Sequence, residues 1–278
     1  MSRRKPLAEL LVSSGLVRDR RLAQSLIMQG RVLVNGKPVT GPNSSVCVDA
    51  ALQLIEERCP YVSRGGLKLK NCLNVLGDSA PPIPGRVCLD IGSSTGGFTE
   101  VLLEAGAARV YAVDVGKGLL DGRLRSDPRI VVLEGVNARQ LSRQQVPELC
   151  EVLTADVSFT SGVRLLPSVL PLLARDAEGL LLLKPQFERT PDPEDERKGW
   201  FAAGVVKHPE LHRRVLQEAY TRLCGMGLPV AAIVPASPLG ARGNQEFFLH
   251  LRRSRPGLDA LAFQKRVGEL LSARAGGG

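Results

Sequence analysis

The hydrophobic pattern alternates between strand-like and helix-like segments from about residue 84 onward. Short apolar runs typical of buried strands are followed by stretches whose apolar residues recur at helical spacing, such as 163–173 and 209–226. This alternation predicts an α/β fold, with a parallel sheet that carries helices on both faces and ends in a hairpin pair. The predicted strands are 87–91, 110–113, 130–133, 152–156, 179–184, 230–234 and 246–251.

The first forty residues have a different pattern. Apolar residues recur at helical spacing in 7–12 and 22–27, which predicts two short helices. Residues 30–39 then alternate between apolar and polar around Asn35 and Gly36, a dipeptide that strongly favours a hairpin turn. We therefore expect a small α+β domain in front of the larger one.

The segment 87–100, V-C-L-D-I-G-S-S-T-G-G-F-T-E, is typical of a buried strand that enters a glycine-rich turn and then a helix. Such a turn suits a nucleoside ligand at the C-terminal edge of a sheet. In the pyrophosphate-binding pattern G-x-G-x-x-G, the second glycine position is occupied here by Ser93 or Ser94, which favours a cofactor without a pyrophosphate. We predict S-adenosylmethionine.

Two positions outside the loop are candidates for the same ligand. Asp114 ends the second strand, 24 residues after Asp90, where such folds place an acid on ribose hydroxyls; the alternative is a strand-end turn acid. Asn137 follows the third strand and is a candidate for an adenine contact. The predicted cofactor-binding residues are Asp90, Gly92, Ser93, Thr95, Gly96, Gly97, Phe98, Asp114, Asn137 and Asp156.

Four charged residues form a candidate catalytic group: Lys68, Asp156, Lys184 and Glu246. The last three lie at strand ends, so we expect them to face one crevice. Lys184 directly follows four leucines, and we expect burial to lower its pKa towards that of a general base. The alternative is a structural lysine that extends its ammonium group to solvent.

Positive charge is concentrated near the start of the chain. Residues 1–70 contain twelve Lys and Arg against five Asp and Glu, which is +7 of the net charge of +9. Such a region is expected to bind a polyanion. The alternative is a basic surface that only keeps the protein soluble. The predicted contacts to this polyanion are Arg3, Arg4, Arg18, Arg20, Arg21, Arg31, Lys37 and Arg64.

Residues 18–36, R-D-R-R-L-A-Q-S-L-I-M-Q-G-R-V-L-V-N-G, resemble the S-four-type RNA-binding domain. They match its pattern S-x-x-x-A-x-x-L-I-x-x-G-x-V-x-V-N-G except at the first position. The resemblance implies that this domain grips structured RNA through phosphate contacts and shape.

The larger domain resembles the FtsJ or RrmJ-like ribose methyltransferases, through the K-D-K-E group and D-x-G-x-x-x-G-G-F at 90–98. The motifs Y-V-S-R-G-G-x-K-L, A-D-x-S-F, K-P-Q-F-E and G-N-x-E-F-F resemble the TlyA family in particular. This implies a Rossmann-like class I methyltransferase sheet. It also implies S-adenosylmethionine-dependent 2′-O-methylation of cytidine in ribosomal RNA of the large subunit and, in some members, of the small subunit.

The resemblance also suggests domain bounds: an RNA-binding domain at 3–57, a linker at 58–64, a methyltransferase domain at 65–254, and a C-terminal helix and tail at 255–278. Residues 189–200 depart from the family, whose loop is shorter there. Trp200 in this loop is either a stacking partner for a base or, as we prefer, an anchor for the loop.

Composition narrows the alternatives. The chain has no apolar run of membrane-spanning length and no signal-peptide pattern, so we expect a cytoplasmic protein that contacts no membrane. The scattered cysteines suggest neither disulfides nor a metal site, and we expect His208 and His212 to lie on a solvated helix face. The expected partner is ribosomal RNA within ribosomal subunits, bound by a monomer.

Two rival functions remain open. One is a non-catalytic ribosome-assembly protein, which would need none of the four charged residues. The other is the haemolysin with which the family has also been labelled, whose sole candidate membrane-active segment is the predicted last helix, 258–273.

Overall fold

The computed structural model describes residues 4–17, 20–28, 30–41, 43–55, 59–189 and 192–275. The chain forms two compact units, Met1–Cys59 with Ala241–Gly243, and Pro60–Gly240 with Asn244–Gly278. Each unit has its own hydrophobic core.

The first unit is a small α+β domain. Its core contains Leu7, Leu11 and Ile27, none of which is exposed. Asn35 and Gly36 both have positive φ, as a two-residue hairpin turn requires, so the predicted hairpin is confirmed. Two antiparallel sheets, β1-β4 and β3-β2-β5, pack with the two predicted helices. The elements are β1 Arg4–Pro6, α1 Leu7–Ser13, α2 Arg20–Met28, β2 Val32–Val34, β3 Lys37–Val39, β4 Ser45–Cys47 and β5 Leu52–Leu54.

The second unit alternates strands and helices as predicted. Its strands are β6 Val87–Ile91, β7 Arg109–Asp114, β8 Ile130–Glu134, β9 Cys150–Ala155, β10 Leu173–Leu183, β11 Phe201–Ala202, β12 Val205–Val206, β13 Val230–Pro235 and β14 Phe247–Arg252. Its helices are α3 Arg64–Leu76, α4 Gly97–Glu104, α5 Gly122–Arg125, α6 Gly162–Val169, α7 Pro185–Glu188, α8 Pro193–Arg197, α9 Pro209–Gly225 and α10 Ala260–Ala275.

Seven strands form one sheet in the order β13-β14-β10-β9-β6-β7-β8. The strands from β10 to β8 in this order are parallel, and β14 pairs antiparallel with both β10 and β13. The predicted α/β class, with its closing hairpin pair, is therefore confirmed. The chain changes direction across the sheet between β6 and β9, which is where such folds form a ligand crevice.

Two differences from the prediction have local causes. The helix predicted at 163–173 ends at Val169, because Leu170–Leu172 contains Pro171 and forms a separate turn. Helix α3 was not among the predicted elements, and its sequence begins Arg64-Gly65-Gly66, which is a weak helix signal.

Candidate active site

The glycine loop joins β6 to α4 at the C-terminal edge of the sheet. Gly92 has φ +81°, and a Cβ atom there would lie 2.3 Å from the carbonyl oxygen of Asp156. The Gly92 amide donates to the carbonyl of Val113 at 2.8 Å, and Gly96, with φ +100°, precedes α4. Glycine is needed at Gly92 because the backbone passes so close to the loop after β9.

Asp90 lies in β6 with its side chain completely buried. Its carboxylate accepts hydrogen bonds from the hydroxyls of Thr99 at 2.6 Å and Thr154 at 2.8 Å. Burial raises the pKa of Asp90 to about 6, although the two threonine hydrogen bonds oppose the shift. Asp90 thus ties together β6, α4 and β9, and a direct contact with a cofactor stays a prediction.

The surroundings of the loop contain both satisfied and unsatisfied polar groups. Asp114 accepts hydrogen bonds from the amides of Ser94 at 2.9 Å and Gly116 at 2.7 Å, so it braces the loop. The hydroxyl of Thr95 is buried without a hydrogen-bond partner. The exposed Asn137 accepts from the amide of Arg139 at 3.0 Å, and nothing in the structure tests its predicted adenine contact.

The remaining predicted loop residues are mostly buried. Ser93 is buried and its amide lies 3.1 Å from the carbonyl of Val113. Phe98 stacks on Phe248 with ring centroids 5.8 Å apart. Gly97 faces Ser63, whose hydroxyl oxygen would lie 2.1 Å from a Cβ atom at this position. Phe98 and Gly97 therefore contribute to close packing behind the loop.

The four predicted charged residues form two ion pairs, of which Lys68–Glu246 is buried and Lys184–Asp156 is partly buried. The ammonium of Lys68 lies 2.6 Å from Glu246, and that of Lys184 lies 2.6 Å from Asp156. Lys184 also donates to the hydroxyl of Ser158 at 2.8 Å. Lys68 and Lys184 are each only 9% exposed, so neither is a lysine that extends its ammonium group into solvent.

Helix α3 brings Lys68 to this group. A Cβ atom on Gly66 would lie 2.5 Å from the side chain of Tyr61 and 3.0 Å from the carbonyl oxygen of Gly97, so glycine lets α3 pack closely against α4. The same helix holds the loop that precedes Glu246, because Arg64 donates to the carbonyl of Leu239 at 2.7 Å.

The two ion pairs influence each other. Burial would raise the pKa of Asp156, but the ammonium groups of Lys184 and Lys68 hold it below its ordinary value. Burial lowers the pKa of Lys184, but the carboxylates of Asp156 and Glu246 outweigh it and raise the pKa above its ordinary value. The prediction that burial brings this lysine into the range of a general base is therefore wrong in this structure, because the carboxylates act more strongly than desolvation.

Two residues beside this group were missed from the sequence. Ser158 and Phe159 belong to the motif A-D-x-S-F, but only the structure shows the serine against Lys184. Phe159 is 82% exposed, has φ +64°, and contacts Phe187 with ring centroids 5.5 Å apart. A bulky residue in this backbone conformation is strained, so its outward orientation is maintained by the surrounding structure.

The predicted RNA-binding residues have varied surroundings. Arg4 and Lys37 are exposed, and Arg4 donates to the carbonyl of Ser45. Arg20 is exposed and lies 3.9 Å from Glu9, whereas Arg31 donates to the carbonyl of Ile55 at 3.3 Å. Arg64 lies in the second unit. Arg3 and Arg18 lie outside the described residues, as does the side chain of Arg21.

The segment 192–207 is anchored through Trp200. The indole stacks on His208 with centroids 4.2 Å apart, and the guanidinium of Arg214 lies 5.0 Å from the ring centroid. These contacts favour the interpretation of Trp200 as a loop anchor. His212 is buried against Phe247, so the expectation of a solvated position is wrong for this histidine.

The residues that the structure describes contain no cluster of three or more side chains able to hold a metal ion. They also contain no helix whose length and apolar character would let it cross a membrane.

Comparison with known proteins places these features in a family. The FtsJ-like methyltransferase family matches residues 61–253, and the S4 domain matches residues 5–52. The 16S/23S rRNA (cytidine-2′-O)-methyltransferase TlyA of Mycobacterium tuberculosis is 42% identical over 91% of each chain. Hemolysin A of Brachyspira hyodysenteriae is 34% identical over 88% of this chain and 98% of its own.

A solved structure from Streptococcus thermophilus, described as that of a candidate hemolysin, is also similar. It is 30% identical to this chain, and the match covers 99% of this chain and 98% of the other with a TM-score of 0.71.

Proposed function

We propose that this chain, which belongs to the TlyA family of FtsJ-like methyltransferases, transfers a methyl group from S-adenosylmethionine to the 2′ oxygen of a cytidine ribose in ribosomal RNA. The observation that carries the proposal is the presence of two ion pairs, the buried Lys68–Glu246 and the partly buried Lys184–Asp156, in the same unit as the glycine loop. Two amines and two carboxylates can orient a hydroxyl group and move its proton.

The glycine loop fits a nucleoside cofactor. Thr95 offers a buried hydroxyl that makes no hydrogen bond, and Gly92 and Gly96 leave the loop without side chains where its backbone is most constrained. When bound, S-adenosylmethionine supplies a methyl group on a positively charged sulfur. The residues that would hold it are Asp90, Gly92, Ser93, Thr95, Gly96, Gly97, Phe98, Asp114, Asn137 and Asp156.

Lys184 takes the proton from the ribose hydroxyl, while Asp156 and Ser158 orient its amine. Because its pKa is raised, Lys184 must first release its own proton to solvent. The neutral amine can then take the proton of the 2′ hydroxyl as the new bond from oxygen to the methyl carbon forms and the bond from that carbon to sulfur breaks. A further positive charge in the crevice would lower this pKa through Coulomb repulsion and favour the neutral amine. Lys68, oriented by Glu246, positions the ribose.

The first unit binds RNA in this proposal. We propose that it spans 3–57 and is followed by a linker at 58–64, a methyltransferase domain at 65–254, and a C-terminal helix and tail at 255–278. Arg3, Arg4, Arg18, Arg20, Arg21, Arg31, Lys37 and Arg64 contact phosphates in this proposal. The exposed ring of Phe159 offers a stacking surface for a base beside Ser158. A target nucleotide inside a helix would have to be flipped out to reach Lys184.

We propose that the protein acts in the cytoplasm, as a monomer, on ribosomal subunits.

The proposed function is tested by mapping ribose methylation on ribosomal RNA from cells with and without the protein. We expect at least one cytidine to lose its 2′-O-methyl group when the protein is missing, and to regain it when the intact chain is supplied. A map with no missing site would overturn the proposal and favour a non-catalytic ribosome-assembly protein.

A further inference from the structure

The loops that follow β9 and β10 are joined to each other at three successive points. The first is the contact of Lys184, at the end of β10, with Asp156 and Ser158, which lie in the loop after β9. This contact fixes the beginning of the loop at residues 156–161.

The second contact lies in the middle of the same loop. Phe187, in the short helix α7, packs against Phe159 with ring centroids 5.5 Å apart. Phe159 has a positive φ, which is an unfavourable backbone conformation for a bulky residue. The contact with the ring of Phe187 helps to stabilise it.

The third contact fixes the end of the loop. One carboxylate oxygen of Glu188 accepts a hydrogen bond from the amide of Gly162 at 2.8 Å, and the other accepts one from the hydroxyl of Ser161. Ser161 in turn accepts from the amide of Arg164 at 3.1 Å and caps α6. Burial raises the pKa of Glu188, although these hydrogen bonds oppose the shift.

Lys184 directly precedes α7, and Phe187 and Glu188 lie in its single turn, so three neighbouring side chains contact the segment 156–162 one after another. We propose that Glu188 is a positioning residue for methyl transfer, which holds the loop carrying Asp156 and Ser158 against Lys184. This inference depends on the proposed function, in which Lys184 takes the proton. A carboxylate that only capped α6 would affect stability but would not alter the behaviour of Lys184.

The test compares the full chain with E188Q, S161A and the double variant in a methylation assay on ribosomal RNA. Glutamine keeps one acceptor oxygen but turns an NH₂ group towards the second donor. We expect each single variant to lower kcat by about tenfold or more, since small displacements of catalytic groups are costly. We expect KM for RNA and the Kd for the cofactor to stay within about threefold of the wild type. The kcat of the double variant should be no lower than that of the less active single variant, because both substitutions remove the same contact.

The control is E151Q. Glu151 lies near the other end of β9, where it accepts from the amide of Val87 at 3.2 Å and pairs with Arg86. We expect it to lower the unfolding temperature while kcat stays within about twofold. If E188Q does not fold, S161A carries the test. The proposal is overturned if the folded variants keep kcat within twofold, or if they lose no more activity than E151Q.

A second measurement separates this proposal from the proposed function. The pKa of Lys184 is followed by NMR of its side-chain nitrogen in the wild type and in E188Q. If the wild type does not methylate RNA, the proposed function fails. A pKa of Lys184 that is lower in E188Q than in the wild type would then still support the positioning role of Glu188. An unchanged pKa in that case overturns the role.

Discussion

Lys184 contacts two acceptors at once, the carboxylate of Asp156 and the hydroxyl of Ser158. Asp156 at 2.6 Å favours the ammonium form, and the hydroxyl of Ser158 at 2.8 Å accepts a hydrogen bond from it. The leucines before Lys184 suggested burial from the sequence. The sign of the pKa shift depends instead on the carboxylates of Asp156, just after β9, and Glu246, just before β14, which no local pattern reveals.

Replacing Lys184 by alanine should abolish methylation, with a loss in kcat of at least about 10²–10⁴-fold, the usual contribution of a general base. Cofactor affinity should stay within a few fold, and both quantities are measured with purified protein and ribosomal RNA. K184R is the matched control, because arginine keeps the charge but cannot be deprotonated. A fully active K184A variant would remove this lysine from the mechanism, and an active K184R variant would assign it the role of a cation.

Asp90 should make stability depend on pH. Its pKa in the folded protein, about 6, is higher than the ordinary value of 3.8, so folding is favoured most when the carboxyl is protonated. The contribution of the protonated carboxyl to the free energy of unfolding is complete below pH 3.8 and is lost as the pH rises to about 6. At neutral pH, the free energy of unfolding is therefore about 3 kcal/mol lower than it is in acid.

The asparagine variant D90N should lack this loss, so its free energy of unfolding relative to the wild type should rise between pH 4 and pH 7. Urea unfolding at the two pH values measures the difference. If the wild type and D90N changed in parallel, the pKa of the Asp90 carboxyl would be the same in the folded and unfolded states.

At the level of elements, the glycine loop depends on its contact with the loop after β9. The substitution G92A places a methyl group 2.3 Å from the carbonyl oxygen of Asp156, at a φ of +81°. We expect it to weaken cofactor binding by more than about tenfold and to destabilise the fold by several kcal/mol.

The matched control is G118A, since Gly118 has φ +67° but no atom within 4 Å of a Cβ position. G118A should lower the free energy of unfolding by only about 1 kcal/mol, because it introduces backbone strain without a close contact. Calorimetry with S-adenosylmethionine and thermal unfolding compare the two variants. Equal effects would mean that the close contact of Gly92 is unimportant.

The segment 192–207 should depend on Trp200 for its order. W200A removes the stack on His208, and we expect a loss of about 1–3 kcal/mol in the free energy of unfolding. Methylation should stay within about threefold, and W200F should restore most of the stability. A W200A variant with normal stability but weak RNA binding would instead indicate that Trp200 stacks on a base.

Helix α3 shows the limit of pattern-based prediction for an element. Its two glycines disfavour a helix in isolation, and the close contact of Gly66 with Tyr61 and Gly97 becomes visible only when α3 and α4 are packed together. Six strands of the sheet were predicted to within two residues, because buried strands are nearly continuous apolar runs. The start of β10 was missed, since it lies at Leu173, six residues before the predicted one.

For the whole molecule, the distribution of charge predicts how RNA affinity responds to salt. Replacing Arg20 and Lys37 by glutamine in the full chain should weaken RNA binding and reduce the slope of log K against log salt by about 0.7–0.9 for each phosphate that is no longer neutralised. Lys265, exposed on α10, serves as the control, since K265Q should leave the slope unchanged. Binding measured at several salt concentrations distinguishes these results, and equal slopes for all variants would place the RNA contacts elsewhere.

The amino-acid sequence by itself determined the class of the fold, the hairpin at Asn35 and Gly36, the glycine loop, and the four charged residues of the site. These follow from periodicity, turn chemistry and motif spacing, which are local along the chain. Only the tertiary structure decided that Lys68 pairs with Glu246, that Lys184 pairs with Asp156 and Ser158, and that Glu188 secures the neighbouring loop. Partners of this kind are brought together by strand order and helix packing, and the resulting Coulomb interactions, rather than the leucines beside it, set the protonation of Lys184.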